Sequence, residues 1–482
     1  MEQKWVISDR KVNPLIAIGC LLVSVIISFA TYKFGTALPI LFVSLSFMAL
    51  MLYTFLHKPK IALFMLIAYC FLVGILGREV DIGIPFGLLI EGLLLGGWLI
   101  TVIKSSRGDF SNVANELCLL WVLWFILSVL QVANPAGGSL NGWASELKTV
   151  ALYPMLIIPL TFMSFKSNKD LNVFLIIIIG CSVLAALNGI KQEHWRLSPG
   201  ELKFLNTGGD VTHLLWGKLR VFSFYTDAGQ FGASQAHIGL VALTLALGPF
   251  KRWKRILLFI AAGLMFYGML LSGTRGALFA LLVGAVFVIF LSKKFKILLL
   301  GGIVLALFVG FLKFTHIGDG NYHIYRLRTA LNPKDASLNV RFETQAFLKN
   351  YLKNKPFGEG LGVIGANGNE YNADMFISTV QPDSYFVKVW VMYGVVGLTI
   401  WLCITVYILG KCCGIVWNIK DKGLQTKLIA LTSGYAGILF CSYGNEVINV
   451  FPSSMVVYVS WVFVFLGPKL EREILARKKL AS

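Results

Sequence analysis

Residues 256–292 read ILLFIAAGLMFYGMLLSGTRGALFALLVGAVFVIFLS. Two apolar runs, 256–272 and 277–292, each approach the roughly 20 residues that cross a bilayer as a helix. They are joined by a short turn, Ser272-Gly273-Thr274-Arg275-Gly276, which holds the stretch's one charge. Basic clusters flank the pair on both outer ends: Lys251-Arg252-Trp253-Lys254-Arg255 before it and Lys293-Lys294-Phe295-Lys296 after it. Short basic loops stay in the cytoplasm. The stretch therefore reads as a helical hairpin with a cytoplasmic base and an outward turn.

The same pattern extends over the chain. Apolar runs recur near 15–31, 38–56, 61–77, 86–103, 116–133, 150–165, 171–190, 233–250, 256–272, 277–292, 297–313, 386–410, 428–445 and 454–467. With 57% hydrophobic and 14% charged residues and a mean hydropathy of +0.74, the chain is far poorer in charge than a soluble domain. The expected fold class is all-α: one polytopic transmembrane bundle over 1–482, with about 12–14 spans. The strand-length alternation of a membrane barrel is absent. Further basic loops at His57-Lys58-Pro59-Lys60, Lys104 with Arg107, Lys420 with Lys422 and Lys427, and Arg477-Lys478-Lys479 put both termini inside and 134–149, 191–232 and 314–385 outside. The net charge of +19 thus reports topology and not nucleic-acid binding. The N-terminal apolar run, after Lys4, Arg10 and Lys11, reads as an uncleaved signal-anchor, because a second span follows at once. Eight cysteines lack metal-ligand spacing and read as packing residues.

The stretch 314–385 is a polar island in this apolar chain. It carries seven Lys/Arg and seven Asp/Glu and is near neutral. Within it, Arg341 to Asn354 (RFETQAFLKNYLKN) spaces Phe347, Leu348, Tyr351 and Leu352 as one face of a short amphipathic helix. Pro356 ends that helix, and Gly358, Gly360 and Gly362 follow. The run P-F-G-E-G-L-G lacks the preceding strand and following Lys-Ser/Thr of a nucleotide loop, so it reads as shaping the island.

Outer arginines run against the orientation rule and are the first candidates for chemistry. Arg220, Arg275 and Arg341 carry planar, permanently charged donor forks suited to phosphate. Arg275 sits in a glycine-flanked turn open to close approach. Asp383, in Gln381-Pro382-Asp383-Ser384-Tyr385, reads as the N-cap of the next span, as a general base, or as both. Glu91 is a carboxylate within the fourth candidate span, which is costly unless paired or functional. Glu446 lies near the outer end of the thirteenth. His237 stands at the outer start of a span, and His316, His323 and Glu343 lie in the island.

The series S-G-T-R-G-A at 272–277, N-V-R at 339–341, P-F-G-E-G-L-G at 356–362 and D-S-Y-F…Y-G-V-V-G-L at 383–398 resembles the O-antigen ligase/polymerase superfamily over roughly 215–400. Arg220, with Phe222, is similar to that family's upstream arginine motif. The resemblance implies a multi-pass glycosyltransferase of the bacterial cytoplasmic membrane with its active site facing the periplasm. It would move a glycan from undecaprenyl diphosphate to lipid A-core or to another glycan chain, with inversion and without metal or cofactor. Arg220 and Arg275 would hold the donor diphosphate, with Asp383 as catalytic partner. Apart from the resemblance, their own charge and position make Arg341, Glu343, Glu91, His316 and His323 the candidates for contact with substrate. Ligases of the family place a His-Asn pair where this chain has Pro382-Asp383, which leaves ligase and polymerase open. A transporter or flippase for a lipid-linked glycan, and an envelope scaffold, are the alternatives.

Overall fold

The computed structural model describes residues 24–25, 28–29, 37–79, 86–104, 110–293, 295–332, 336–382 and 384–481. The candidate span near 15–31 falls for the most part outside them. The order of elements is α1 (Ala37–His57), α2 (Pro59–Glu79), α3 (Phe86–Lys104), α4 (Glu116–Leu130), α5 (Leu140–Leu147), α6 (Tyr153–Ser164), α7 (Asn168–His194), α8 (Pro199–Phe204) and α9 (Asp210–His213). A two-stranded hairpin follows, β1 (Leu214–Leu215) and β2 (Lys218–Leu219). Then come α10 (Ala228–Ala246), α11 (Arg252–Leu271), α12 (Arg275–Leu291), α13 (Phe295–Phe314), α14 (Tyr322–Thr329), α15 (Ala336–Tyr351) and α16 (Gly365–Tyr371). The chain ends with α17 (Tyr385–Asn418), α18 (Lys422–Cys441), α19 (Ser453–Phe465) and α20 (Gly467–Ala481).

The all-α membrane class is borne out. Among the described residues, seven helical stretches are long and apolar enough to cross a bilayer, or eight if α19 and α20, bent by 56°, count as one span. Other expected spans are helices that are shorter or more polar. α10 and α18 explain why: nearly every residue of α10 and most of α18 are buried. They pack on each other and on α12, and α10 also packs on α11 and α7. α10 is enclosed by other helices over most of its length, so it can hold Gln230, Ser234, Gln235 and His237 inside the bundle. α4 is the opposite case. Leu119, Leu123, Ile126 and Leu130 stay exposed at helical spacing, the stripe a lipid-facing helix presents, while Trp121 and Trp124 face inward.

Several boundaries correct the sequence reading. α10 begins at Ala228, capped by Asp227, whose carboxylate accepts from Gln230 N at 2.9 Å. His237 is therefore well inside the helix, 2% exposed, and not at its outer start. The surface helix runs Ala336–Tyr351, so Arg341 lies in its second turn and does not open it. Leu348 and Leu352 are buried beneath it, whereas Phe347 is exposed and packs on Tyr351 and Phe376. Ser384, not Asp383, caps α17: its hydroxyl accepts from Val387 N at 3.4 Å. Asp383 itself lies outside the described residues.

The glycine run of the island has a definite task. α17 is broken at Gly394, whose φ is +68°. Across the break, Glu359 N donates to Val391 O at 2.8 Å, Gly360 N to Met392 O at 3.0 Å, and Val396 N to Pro356 O at 3.2 Å. Backbone groups freed by the break must find partners in a membrane protein, and the run supplies them. A Cβ on Gly394 would stand 2.0 Å from Pro356 O, so the approach demands glycine. The far side of the island rests on 138–146. Asn372 accepts from Ser139 N at 2.6 Å and donates to Gly362 O at 2.8 Å, and Asn367 donates to Glu146 at 2.6 Å.

Candidate active site

The Ser272-Gly273-Thr274 turn holds the site together. Gly273 takes φ +57° to reverse the chain in three residues. Thr274 Oγ1 donates to Ala228 O at 2.9 Å, fixing the turn to the first residue of α10. A Cβ on Gly232 would lie 2.2 Å from Ser272 Oγ, so the two helix ends meet closely. Arg275 is consequently the first residue of α12, where a positive side chain joins the positive end of the helix dipole. Among the described residues, no side chain caps that helix. Such an end favours an anion.

The β1–β2 hairpin, absent from the sequence reading, delivers Arg220 to the same place. Trp216 (φ +53°) and Gly217 (φ +72°) form its two-residue turn, the left-handed pair that matches strand twist. Arg220 N donates to His213 O at 2.7 Å. Its guanidinium then donates to Thr212 O at 2.9 Å, Thr274 Oγ1 at 3.3 Å and Ser272 O at 3.4 Å. Burial first, and the Arg326 cation second, press its ionisation below the ordinary guanidinium range, yet a guanidinium stays charged.

Together these elements enclose a cavity of about 300 Å³ lined by Arg220, Arg275, Arg326 and Arg341, with Asp227, Asn445 and Glu446 as the other main polar walls. Four guanidiniums face two carboxylates, so the lining is cationic. Asp227 is tied to backbone N–H groups at the start of α10, and burial raises its carboxyl above the usual range. Asn445 Nδ2 is buried with no hydrogen-bond partner among the described residues. A Cβ on Gly276 or Gly229 would come within 3.1 and 3.2 Å of it, which puts this donor at both helix N-termini. A second cavity, about 250 Å³, shares Arg275, Gly276 and Arg341 with the first. Its remaining walls are largely apolar and include Phe279, Phe342 and Phe440. A charged chamber opening beside an apolar groove fits an amphiphile whose head is a multiply charged oxyanion.

Behind the chamber stands a buried ion network. Lys388 Nζ lies 2.7 Å from Glu446 and 2.9 Å from Glu146, whose side chain is fully buried. Asn449 donates to Glu446 at 2.8 Å. Glu446 thus borders the cavity in a fixed orientation, beyond the end of α18 at Cys441.

Of the residues expected from sequence, Arg220, Arg275 and Arg341 converge here. Four others do not line the cavity. Glu91 is paired with Lys148 at 3.1 Å and accepts from Tyr153 OH at 3.0 Å. His316 contacts Asp319 at 2.9 Å and is almost fully exposed. His323 Nε2 lies 3.3 Å from Glu193. Glu343 is exposed on α15. The sequence reading missed Arg326, Asp227 and Asn445. Arg326 obeyed the same outer-arginine criterion, but its neighbour Arg328 does too, and Arg328 is spent on Asp319 at 2.7 Å and on the carbonyls of Thr315 and Ile317. Asp227 carried a capping signal ahead of an apolar run. Nothing local marked Asn445.

No curated protein matches the chain. A family match covers residues 260–402, which takes in Arg275, Arg326, Arg341 and the break at Gly394 and leaves Arg220, Asp227, Asn445 and Glu446 outside it. That family is described as O-Antigen ligase: over residues 260–402 the chain is similar to it, and its apolar helices are those of a multi-pass membrane protein.

Proposed function

We propose that the chain transfers a glycan from undecaprenyl diphosphate to an acceptor hydroxyl, on lipid A-core or on a second glycan, at the periplasmic face of the cytoplasmic membrane. The observation that carries this reading is the convergence of Arg220, Arg275, Arg326 and Arg341 on one chamber beside an apolar groove. The diphosphate sits among the arginines and the Asn445 amide, and the polyprenyl chain lies along Phe279, Phe342 and Phe440. In a single displacement the acceptor oxygen attacks the anomeric carbon. The bond from that carbon to the diphosphate oxygen breaks, its electron pair leaves with the diphosphate, and the anomeric configuration inverts. The arginines hold the charge that develops on the leaving group, and this stabilisation in a dry site is the largest part of catalysis. The hydroxyl proton passes to a carboxylate. Asp383 holds that role from its place in sequence, and Asp227 and Glu446 are the carboxylates of the cavity wall.

The test is transfer by purified protein from undecaprenyl-diphosphate glycan, with lipid A-core and with a second donor molecule as alternative acceptors. Arg275→Ala should lower product about a hundredfold or more at normal expression. Asp383→Asn, Asp227→Asn and Glu446→Gln, assayed side by side, should single out one carboxylate with a comparable loss. Near-normal transfer by Arg275→Ala would remove the site assignment. A carrier for the same lipid is a second reading, supported by buried polar atoms without partners on α10 and α18, among them Gln235 Oε1, both His237 ring nitrogens and Ser433 Oγ. Donor movement across vesicles in the absence of acceptor, without product, would favour it.

A further inference from the structure

A second cationic feature lies at the other end of the bundle. α11 begins at Arg252 and reaches the Ser272 turn at its far end, so about 30 Å of helix separates the arginine chamber from a furrow of about 690 Å³ walled by Leu175, Ile176, Phe250, Trp253, Leu257 and two lysines, Lys254 and Lys427. The walls are otherwise almost wholly apolar, and Ile176, Trp253 and Leu257 are more than half exposed, so the furrow opens on the lipid-facing side.

Lys427 is the telling residue. It is 8% exposed; among the described residues its one hydrogen bond is to the Asn168 amide oxygen at 3.1 Å, and its ammonium lies 6.0 Å from the Phe250 ring. Lys388, the other deeply buried lysine among the described residues, has two carboxylates. The carboxylates of the adjoining segments each bind another cation, and of them Asp421 also acts on the Lys427 ammonium through space. Asp421 binds Lys478 at 2.7 Å and caps α18. Glu473 binds Arg477 at 2.6 Å and accepts from Asn168 N. Asp170 binds Lys60 at 3.0 Å. A buried ammonium with one neutral acceptor is costly. An oxyanion entering the furrow would answer it, and Lys254 at the rim adds a second charge.

We propose that this furrow binds an anionic phospholipid of the leaflet opposite the arginine chamber. The lipid phosphate sits between Lys427 and Lys254, and one acyl chain lies along Ile176, Leu257 and Trp253. Charge complementarity selects the head, and the apolar walls exclude a bare anion. Trp253 at the rim occupies the depth that aromatic side chains favour at a membrane interface.

Native mass spectrometry of the full chain in detergent tests this with phosphatidylglycerol, phosphatidylcholine and inorganic phosphate as probes. The unaltered protein should retain phosphatidylglycerol about tenfold more tightly than phosphatidylcholine, whose choline cation offsets the phosphate charge and is repelled by the two lysines. Lys427→Met should erase that preference, Lys254→Gln should reduce it, and Lys411→Gln, which lies outside the furrow, should leave it intact. The proposal is overturned if a folded Lys427→Met protein keeps the preference. Equal retention of both lipids by the unaltered protein overturns it too, as does full displacement of the lipid by millimolar inorganic phosphate. Should Lys427→Met fail to fold, the lipid comparison on the unaltered protein together with Lys254→Gln still decides the matter: preference present and reduced supports it, any other pair refutes it.

Discussion

Replacing Lys388 with methionine should be among the most damaging single changes outside the arginine chamber. Glu146 is fully buried, with Lys388 at 2.9 Å and Asn367 at 2.6 Å as its strong partners. Methionine fills similar volume, so packing loss is small and the effect is electrostatic. The variant leaves Glu146 buried with one amide donor and frees Glu446 to turn. Removing one member of a buried pair costs about 3–5 kcal/mol, because the stranded charge keeps its desolvation penalty. Pairing the change with Glu146→Gln removes that stranded charge while retaining an acceptor for Asn367, and should recover most of the loss. Reversible unfolding of the purified protein in mixed micelles, by far-ultraviolet circular dichroism, measures both variants and their coupling. A loss below about 1 kcal/mol for Lys388→Met, or a double variant as damaged as the sum of its parts, would refute the reasoning.

Three further outcomes are expected. Arg326→Ala should reduce glycan transfer about a hundredfold with unchanged membrane insertion, whereas Arg328→Ala should act on the stability of the 315–329 segment; similar activity losses for both would contradict their assignment to different tasks. His213 is buried and held neutral, its value pushed down to about 4 by burial; its Nε2 accepts from Ala228 N at 3.2 Å, which a proton would prevent. A depressed histidine leaves stability level above about pH 6.5 and removes about 3 kcal/mol as pH falls from there through 4, so His213→Gln should flatten the unfolding profile in that window. Gly394→Ala forces a Cβ to 2.0 Å from Pro356 O at φ +68° and should cost about 2 kcal/mol or more, with faster proteolysis of the island as the accessible readout.

Much of the molecule was written locally. Apolar runs of membrane length determine that the chain is helical and crosses a bilayer, since no other open structure satisfies its backbone there. The S-G-T-R-G turn and the outer arginines were legible because a charge in an apolar sequence stands out against its neighbours. The polar cast of α10 and α18 was not interpretable from sequence, because whether a glutamine or histidine is tolerated depends on which helices surround it. Arg326 and Arg328 differ by two positions and by nothing in local chemistry; the facing of α14 sends one to the chamber and the other to Asp319. The glycine run at 356–362 looked like a loop feature, and its purpose appears only against the break at Gly394, more than thirty residues later. Asn445 and Glu446 join the chamber from beyond α18, and Lys388 finds Glu146 across 242 positions (388 − 146). Sequence by itself determined the membrane-helical class and the types of residue the chemistry uses. Tertiary structure alone decided which of those residues meet, because a binding site is a coincidence of helix ends distant in the chain, set by helix lengths, facings and breaks that act together.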